Sequence, residues 1–533
     1  MVKKRSEWER LDTHERFFMR NFSHGDAILK FLADSNLQLT RIERDPIDTR
    51  SWQLNVKPDK RLMDMFGYNR EILIYCSPFS EFQSRVVEAI EGRLRRDPLR
   101  LDSDLAILIT NDNKISEKIL LFRSNRKLTI IPFTLREIVR PRTDPSYILI
   151  RRMGQFLFSR NLYDETTPVD GVRFFGREKE VSFCIDELLN GSQIGIFGLR
   201  KIGKTSVVRE VKERLEANLH DTFPRTSYID IQLHALTRSC DELLFQIGKD
   251  FFADRINNSL INSTELNKFY SQDYSDINKG ATIARFSSDI SKMSSFMGEV
   301  ENDRRNRLIL MVDEIESLVG TQVHKGFEDG IDFMKMWRGL CQRYNFISTV
   351  IVGVNSTMVD LPIFQSVDNP MFKFFKSFYL PNFEYNDAEK MVEILGNKIG
   401  ISFKPKCFQW LYERLGGHPF LTRQFCAIVA QENPKRPVRI SILDLENASS
   451  IFLRKHSNVF EQVFEILDLF YPDEATVMEM VCSGELDDPY QVCESPDSID
   501  HLIGCGLLKI ESGKASIPIG LLNDWMKANR IGR

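Results

Sequence analysis

The sequence predicts an α/β protein built around one parallel sheet, and three observations carry that prediction. Apolar runs of strand length recur between helix-like segments, at residues 194–197, 228–232, 307–314 and 346–354. The first run breaks into Gly198-Leu199-Arg200-Lys201-Ile202-Gly203-Lys204-Thr205 and turns helical from Ser206. The third ends in two acids, Asp313 and Glu314. A chain of 533 residues is too long for one core, so further domains are expected on either side.

A strand, a G-x-x-x-x-G-K-[ST] loop and a helix form a phosphate-binding P-loop unit. Gly198 and Gly203 let the backbone wrap until its N–H groups converge on phosphate oxygens, and the helix N-terminus adds its positive pole. Gly198, Ile202, Gly203, Lys204, Thr205 and Ser206 are the expected phosphate-binding set. Lys204 would reach the β/γ-phosphates, and the Thr205 hydroxyl would ligate Mg²⁺. Asp313, where its strand emerges beside the phosphates, would hold the same Mg²⁺, usually through water. Glu314 would orient or deprotonate the attacking water, in a reaction where positioning and charge neutralisation do most of the catalysis.

Net charge is −3, but it is unevenly spread. Residues 1–165 hold 30 Lys/Arg against 24 Asp/Glu, whereas residues 456–533 hold 5 against 14. The N-terminal part could meet a polyanion; the C-terminal part is poorly suited to one. The nine cysteines are scattered, with no C-x-x-C pair and no zinc-like histidine spacing, which fits reduced thiols in the cytosol. The start, MVKKRSEWERLDTHERFF, lacks the apolar core of a signal peptide, and no apolar run is long enough to cross a bilayer. A cytoplasmic protein without a membrane partner is expected.

Residues 1–165 alternate strand-like segments (37–44, 71–76, 105–110, 128–132) with helix-like ones (27–33, 81–96, 116–122), predicting a small α/β module with a largely parallel sheet. The succession resembles the restriction-endonuclease-like nuclease core and, more weakly, a TIR-type module. The nuclease resemblance implies an acid followed by E-x-K or Q-x-K on the central strand. The matching run here, Ile74-Tyr75-Cys76-Ser77, has neither acid nor lysine. Ser116-Glu117-Lys118-Ile119 does not supply the glutamate of a TIR-type NAD hydrolase either. A non-catalytic sensor or docking domain is therefore expected, with an ATPase-regulated nuclease or NAD hydrolase as the alternative. Arg93-Leu94-Arg95-Arg96 could touch phosphates, although such a run is usually a solvated helix face. A hinge is expected over 140–171.

Phe174-Phe175-Gly176-Arg177-Glu178-Lys179-Glu180 fits the pattern hhGRExE some 20 residues before the P-loop, and Gly416-Gly417-His418-Pro419 follows in a helical region. Together these resemble the STAND class of P-loop ATPases, whose nucleotide-binding core is shared with AAA-plus proteins. The resemblance implies ATP as the nucleotide, with Gly176 and Arg177 over adenine and ribose, Pro419 packed on the adenine and Arg423 as a second sensor. It also implies a polar sensor for the γ-phosphate or the water: Asn355, with Ser356 second, on a strand lying between those of Lys204 and Asp313. No arginine stands in an obvious finger position; Arg338 and Arg343 are the nearby candidates.

The expected architecture is α/β: an N-terminal α/β domain (1–165, restriction-endonuclease-like or TIR-like), a P-loop NTPase core with a parallel five-stranded sheet (166–385), a helical lid (386–454) and a winged helix (455–533). A polar insertion (254–305) in the core carries Ile283, Phe286, Ile290, Met293, Met297 and Val300 at helical spacing, most simply a core-packing seam. A winged helix usually suggests DNA. Here Glu485, Asp487, Asp488, Glu494, Asp497 and Asp500 surround its third helix, with no Lys or Arg between Lys455 and Lys509, so groove insertion would be repulsive. A protein-contact or autoinhibitory module is expected. The resemblance implies an ATP-hydrolysing switch that binds ATP and ADP and forms a homo-oligomer or engages a partner protein, often in bacterial stress or anti-phage defence. The alternative is an origin-recognition-type DNA-binding ATPase, with nucleic acid held elsewhere than on the acidic winged helix.

Overall fold

The structure is a computed structural model that describes residues 13–122, 128–217, 224–234, 239–252, 279–299, 304–320, 326–354, 356–364, 367–491 and 496–531. Among these, no helix is long and apolar enough to cross a membrane. The chain divides into two compact units.

The first unit comprises Met1–Asp164, Glu389–Phe408 and Gln424–Ser449. Its sheet runs in chain order through β1 (Leu37–Arg44), β2 (Trp52–Pro58), β3 (Glu71–Ser77), β4 (Leu101–Thr110) and β5 (Thr129–Thr134). β1–β2 and β2–β3 pair antiparallel, β3–β4 and β4–β5 parallel. The sheet expected to be largely parallel is therefore mixed. The difference arises at β2, whose polar Gln53 and Asn55 are each only 1% exposed. Burying an amide is costly unless it finds a partner, and Gln53 donates to Asp45 Oδ2 at 2.6 Å, across a turn of the chain. Likewise the helix expected from residue 81 begins at Arg85, because the Phe82 N–H is engaged by Asp112 Oδ2 at 2.8 Å.

The later segments of this unit bring in the parallel pair Ile401–Phe403 and Val438–Ile440. Lys398, 7% exposed, places Nζ 3.6 Å from Asp104 Oδ2 and 3.8 Å from Asp102 Oδ2. Burial raises the Asp102 carboxyl, with Lys398 pulling the other way. The Tyr163 hydroxyl donates to the Val392 carbonyl at 2.6 Å. The helical stretch expected over 386–454 is thus shared between units, since residues 409–423 belong to the second.

The second unit comprises Glu165–Ala388, Gln409–Arg423 and Ser450–Arg533. Its sheet consists of β6 (Gln193–Phe197), β7 (Arg225–Asp230), β8 (Leu308–Asp313), β9 (Ile347–Val352) and β10 (Lys376–Tyr379), in the order β10-β6-β9-β8-β7. Every pairing is parallel. All residues of β8 and β9 are buried, as in a sheet covered on both faces. Polar side chains on β9 find partners: Ser348 donates to the Leu188 carbonyl at 2.7 Å, and Thr349 accepts from Trp337 Nε1 at 2.9 Å. The helix Lys279–Glu299 packs Phe286, Ile290 and Met293 into this core, with the Phe286 ring 6.2 Å from that of Trp337. The seam is core packing at these three positions; Met297 and Val300 lie outside the described side chains, as does most of the insertion.

The C-terminal part of the unit has the helix order of a winged helix. The helix Ile442–Phe470, which enters this unit at Ser450, is kinked at His456 and leads into Pro472–Ser483 and Pro496–Gly504. A two-stranded hairpin (Lys509–Glu511 with Lys514–Ser516) and the helix Gly520–Met526 complete it. Gly417 sits at φ 71°, and a Cβ there would come 2.3 Å from the Phe383 carbonyl oxygen, so only glycine fits.

His418, next in sequence, is 3% exposed, and burial, with repulsion from Arg177 and Lys204, lowers its pKa to about 3. The unfolded chain takes up a proton here below about pH 6.5, whereas the folded chain does not, so falling pH favours unfolding. His418 is expected to cost about 2 kcal/mol of stability between roughly pH 8 and pH 5. Thermal unfolding of wild type and His418→Gln at both pH values measures this, and the variant should show the shallower pH dependence.

Candidate nucleotide site

The site lies where the parallel strands of the second unit end. β6 delivers the chain into the loop with Gly198 at φ 143°, Lys201 at φ 64° and Gly203 at φ 103°. These left-handed conformations turn the chain back until the helix Lys204–Leu215 begins, its first N–H groups aimed at the loop's concavity. Lys204 is 8% exposed, and its ammonium donates to the Gly198 and Leu199 carbonyls at 2.8 and 2.9 Å. Burial lowers its pKa, while Glu316, Glu314 and Asp313 act in the opposite sense.

Asp313, at the end of β8, is the meeting point. Its Oδ2 accepts from the Thr205 hydroxyl at 2.7 Å and from the Tyr228 hydroxyl at 2.9 Å, and its Oδ1 accepts from the Glu314 N–H at 3.0 Å. A hydroxyl and a carboxylate converging on one point form a donor set suited to Mg²⁺, a hard cation that takes oxygen ligands and keeps several waters. Glu314 follows in the left-handed region at φ 55°, a conformation that costs a non-glycine residue free energy and persists where surrounding structure imposes it. Burial first, then Glu316 and Asp313, raise its carboxyl, with Lys204 and Arg200 opposing them.

Other expected residues are placed as follows. Gly176, at φ 63°, has its Cα against the Asp387 side chain, where a Cβ would lie 2.8 Å from Asp387 Cβ. Arg177 turns into the protein: it donates to the Pro381 and Ile202 carbonyls at 2.7 and 3.3 Å, pairs with Glu180 at 3.4 Å and lies over the Phe383 ring. Burial lowers its pKa to about 10. The guanidinium thus braces the loop from behind. Asn355 lies outside the described residues. Ser356, 4% exposed, shares a hydrogen bond with the Tyr379 hydroxyl. Arg338 donates to the Pro370 carbonyl at 2.7 Å, and Arg343 lies against the Tyr344 ring.

A cavity of about 370 Å³ opens over the loop. Residues Gly203–Ser206 and Glu314 form its floor, Gln232 one flank, and Pro419, Phe420 and Arg423 another. A strap, residues 165–169, closes a further side, tied down by Lys201 Nζ donating to the Thr166 carbonyl at 3.1 Å and the Val169 N–H donating to Ser206 Oγ at 2.9 Å. Sequence reasoning missed the strap, Gln232, Tyr228 and Phe420. The strap's Pro168 and polar residues read as part of a hinge, and Tyr228 reads as one more strand residue until β7 is set beside β8. Phe420 carried a weak signal, standing directly after Pro419.

No family model matches the chain, and no curated protein matches it. Among solved structures it is similar to the Walker-type ATPase PABY2304 of Pyrococcus abyssi, with TM-score 0.45 and 12% identity, covering 69% of this chain and 100% of that one. The ORC1 protein of Aeropyrum pernix, solved in complex with DNA, aligns with TM-score 0.34 and 15% identity, covering 69% and 95%. Domain III of the replication initiation protein DnaA of Thermotoga maritima aligns with TM-score 0.32 and 11% identity, covering 54% and 99%. All three scores lie below 0.5, so the assignment rests on the chain's own features. A parallel sheet in the spatial order fifth, first, fourth, third, second strand, with the glycine loop on its first strand and the acid pair on its third, is a P-loop NTPase core.

Proposed function

We propose that this chain is an ATP-binding and ATP-hydrolysing switch of the STAND type, in which nucleotide state changes the packing of the winged helix on the core and with it self-association or partner binding. ATP and Mg²⁺ are its cofactors in this reading. The observation that carries nucleotide chemistry is the convergence of Thr205, Lys204, Asp313 and Glu314 at the strand ends. Gly198, Ile202, Gly203, Lys204, Thr205 and Ser206 would cradle the phosphates, and Lys204 would exchange its two carbonyl partners for phosphate oxygens. Thr205 and Asp313 would hold Mg²⁺, which would supply neutralisation of the phosphate charge. Glu314 would take the proton of the attacking water, and Ser356 with Asn355 would report the γ-phosphate. Pro419 and Phe420 would enclose the base opposite the strap, with Arg423 as a second cation over the phosphates. Gly176 and Arg177 would shape the base and ribose end by bracing the loop.

The winged helix supports the switch rather than a DNA reader. The last turn of its third helix packs on the end of β10, where a Cβ on Gly504 would meet the Tyr379 ring at 2.9 Å. Asn382 Nδ2 donates to the Gly506 carbonyl at 3.2 Å. Behind this contact, His501 Nδ1 and Glu474 Oε2 are 2.7 Å apart, and the His501 ring lies 4.3 Å from Tyr471 and 5.0 Å from Tyr379. Burial pulls the His501 pKa down, but Cys505 and Glu474 outweigh it and lift it to about 10, while burial raises the Glu474 carboxyl. Ser356, Tyr379, His501 and Glu474 thus form one continuous path from the sensor strand into the winged helix.

Three measurements test this reading. Lys204→Ala should weaken ATP binding by about 10–100-fold, as expected for losing a charged hydrogen-bonding group, in titration calorimetry; unchanged affinity sinks the assignment. Glu314→Gln should retain ATP binding but lower kcat by about 100-fold or more, the scale of a lost general base, in a phosphate-release assay. His501→Ala should raise basal turnover or ATP-dependent assembly by about 5-fold or more, the scale of a modest coupling free energy, measured with phosphate release and light scattering. An unchanged rate and unchanged oligomer would remove the winged helix from the switch.

A further inference from the structure

Glu316, the third acid of the run Asp313-Glu314-Ile315-Glu316, has no role in the chemistry set out above, yet it is built into the same strand ends. It opens the short helix Glu316–Val319 and turns back over the sheet, with its Oε2 buried. Its Oε1 accepts from the Val354 N–H. The same carboxylate lies on the backbone of Gly353, where a Cβ would come 2.5 Å from Oε1 and 3.0 Å from the carboxyl carbon. Around it the strand ends are tied together: the Ile315 N–H donates to the Val352 carbonyl at 3.0 Å, and the Gly353 N–H donates to the Ile196 carbonyl at 3.1 Å. The carboxylate therefore fills the notch where the ends of β6, β8 and β9 meet.

We propose that Glu316 is a positioning residue of the site: its carboxylate clamps the end of β9 to the turn that carries Glu314, fixing the distance between the sensor segment and the hydrolytic acid. The segment after β9 is then held at two points, Val354 by Glu316 and Ser356 by Tyr379. An acid that merely complemented a helix dipole would sit in solvent, be worth under about 1 kcal/mol, and need no glycine opposite it. A Cβ at position 353 could enter only by displacing this carboxylate. Its charge also reaches the chemistry, standing first among the charges acting on both Lys204 and Glu314. Displacing a positioned group by about 1 Å can cost roughly 100-fold in rate without loss of binding.

The inference rests on the ATPase reading, and the experiment separates the two. Full-length wild type, Glu316→Ala, Glu316→Gln and Gly353→Ala are compared in ATP turnover, in calorimetry with a non-hydrolysable ATP analogue, and in amide hydrogen exchange over the peptide containing Val354. Glu316→Ala should lower kcat by about 100-fold, the scale given for a misplaced group, with the analogue Kd within about 3-fold, and exchange at Val354 should quicken about 10-fold, equivalent to roughly 1.4 kcal/mol of lost protection. Glu316→Gln keeps the acceptor oxygen and should recover kcat to within about 5-fold of wild type. Gly353→Ala, which displaces the carboxylate from the opposite side, should behave like Glu316→Ala, so the test survives if one variant fails to fold. Unchanged exchange at Val354 in Glu316→Ala overturns the clamp whether or not the protein hydrolyses ATP. Faster exchange with unchanged kcat overturns the positioning role. A wild type without turnover overturns the ATPase reading alone and leaves the clamp to the exchange measurement.

Discussion

The candidate nucleotide site depends on one carboxylate. Asp313 takes a hydroxyl from the loop helix, a hydroxyl from β7 and the N–H of its own neighbour, so the loop helix and β7 are both anchored at the end of β8. These bonds are short and partly buried, where hydrogen bonds to a charged group are at their strongest. The parallel sheet makes this possible. Only parallel strands end on the same side, and only with β9 inserted between β6 and β8 do the loop, the end of β9 and the acid pair all reach the same edge. The left-handed turn at Glu314 follows from the same constraint: β8 must stop at Asp313 and send the chain into a new helix within three residues.

From that anchor, order spreads outward through buried polar contacts. Arg177 braces the loop by binding the carbonyls of Ile202 and Pro381, so the G-R-E motif is tied to the loop geometry. Tyr379 joins Ser356 to the aromatic cluster around His501, and the His501–Glu474 contact anchors that cluster among the C-terminal helices. The winged helix presents its third helix to the core. The last turn of that helix meets Tyr379, Asn382 holds the Gly506 carbonyl just beyond it, and acids flank it.

Much of the second unit was legible in the sequence because its signals are local. Gly198 and Gly203 with Lys204 specify a loop by backbone freedom and charge at fixed spacing, and the run ending in Asp313-Glu314 specifies a buried strand by composition. The N-terminal sheet was harder to read. β2 alternates apolar and polar residues like a half-exposed strand, yet Gln53 and Asn55 are buried, and the partner that makes Gln53 tolerable, Asp45, belongs to the preceding segment. Missing β2 turned a mixed sheet into a parallel one. The helix start at Arg85 was misplaced for a related reason, since it is set by Asp112 from beyond the next strand.

By itself, then, the sequence determined the phosphate loop, the acid pair, the order of strands and helices in the second unit and the negative charge of the winged helix, since each is written in neighbouring residues. The tertiary structure decided which groups meet. It placed Tyr228 on Asp313, closed the cavity with residues 165–169, turned Arg177 inward and set Glu316 against Gly353. These are contacts between residues tens to hundreds of positions apart, whose pairing depends on strand order and helix packing. No local spacing encodes them, because each partner alone is an ordinary tyrosine, arginine, glutamate or glycine.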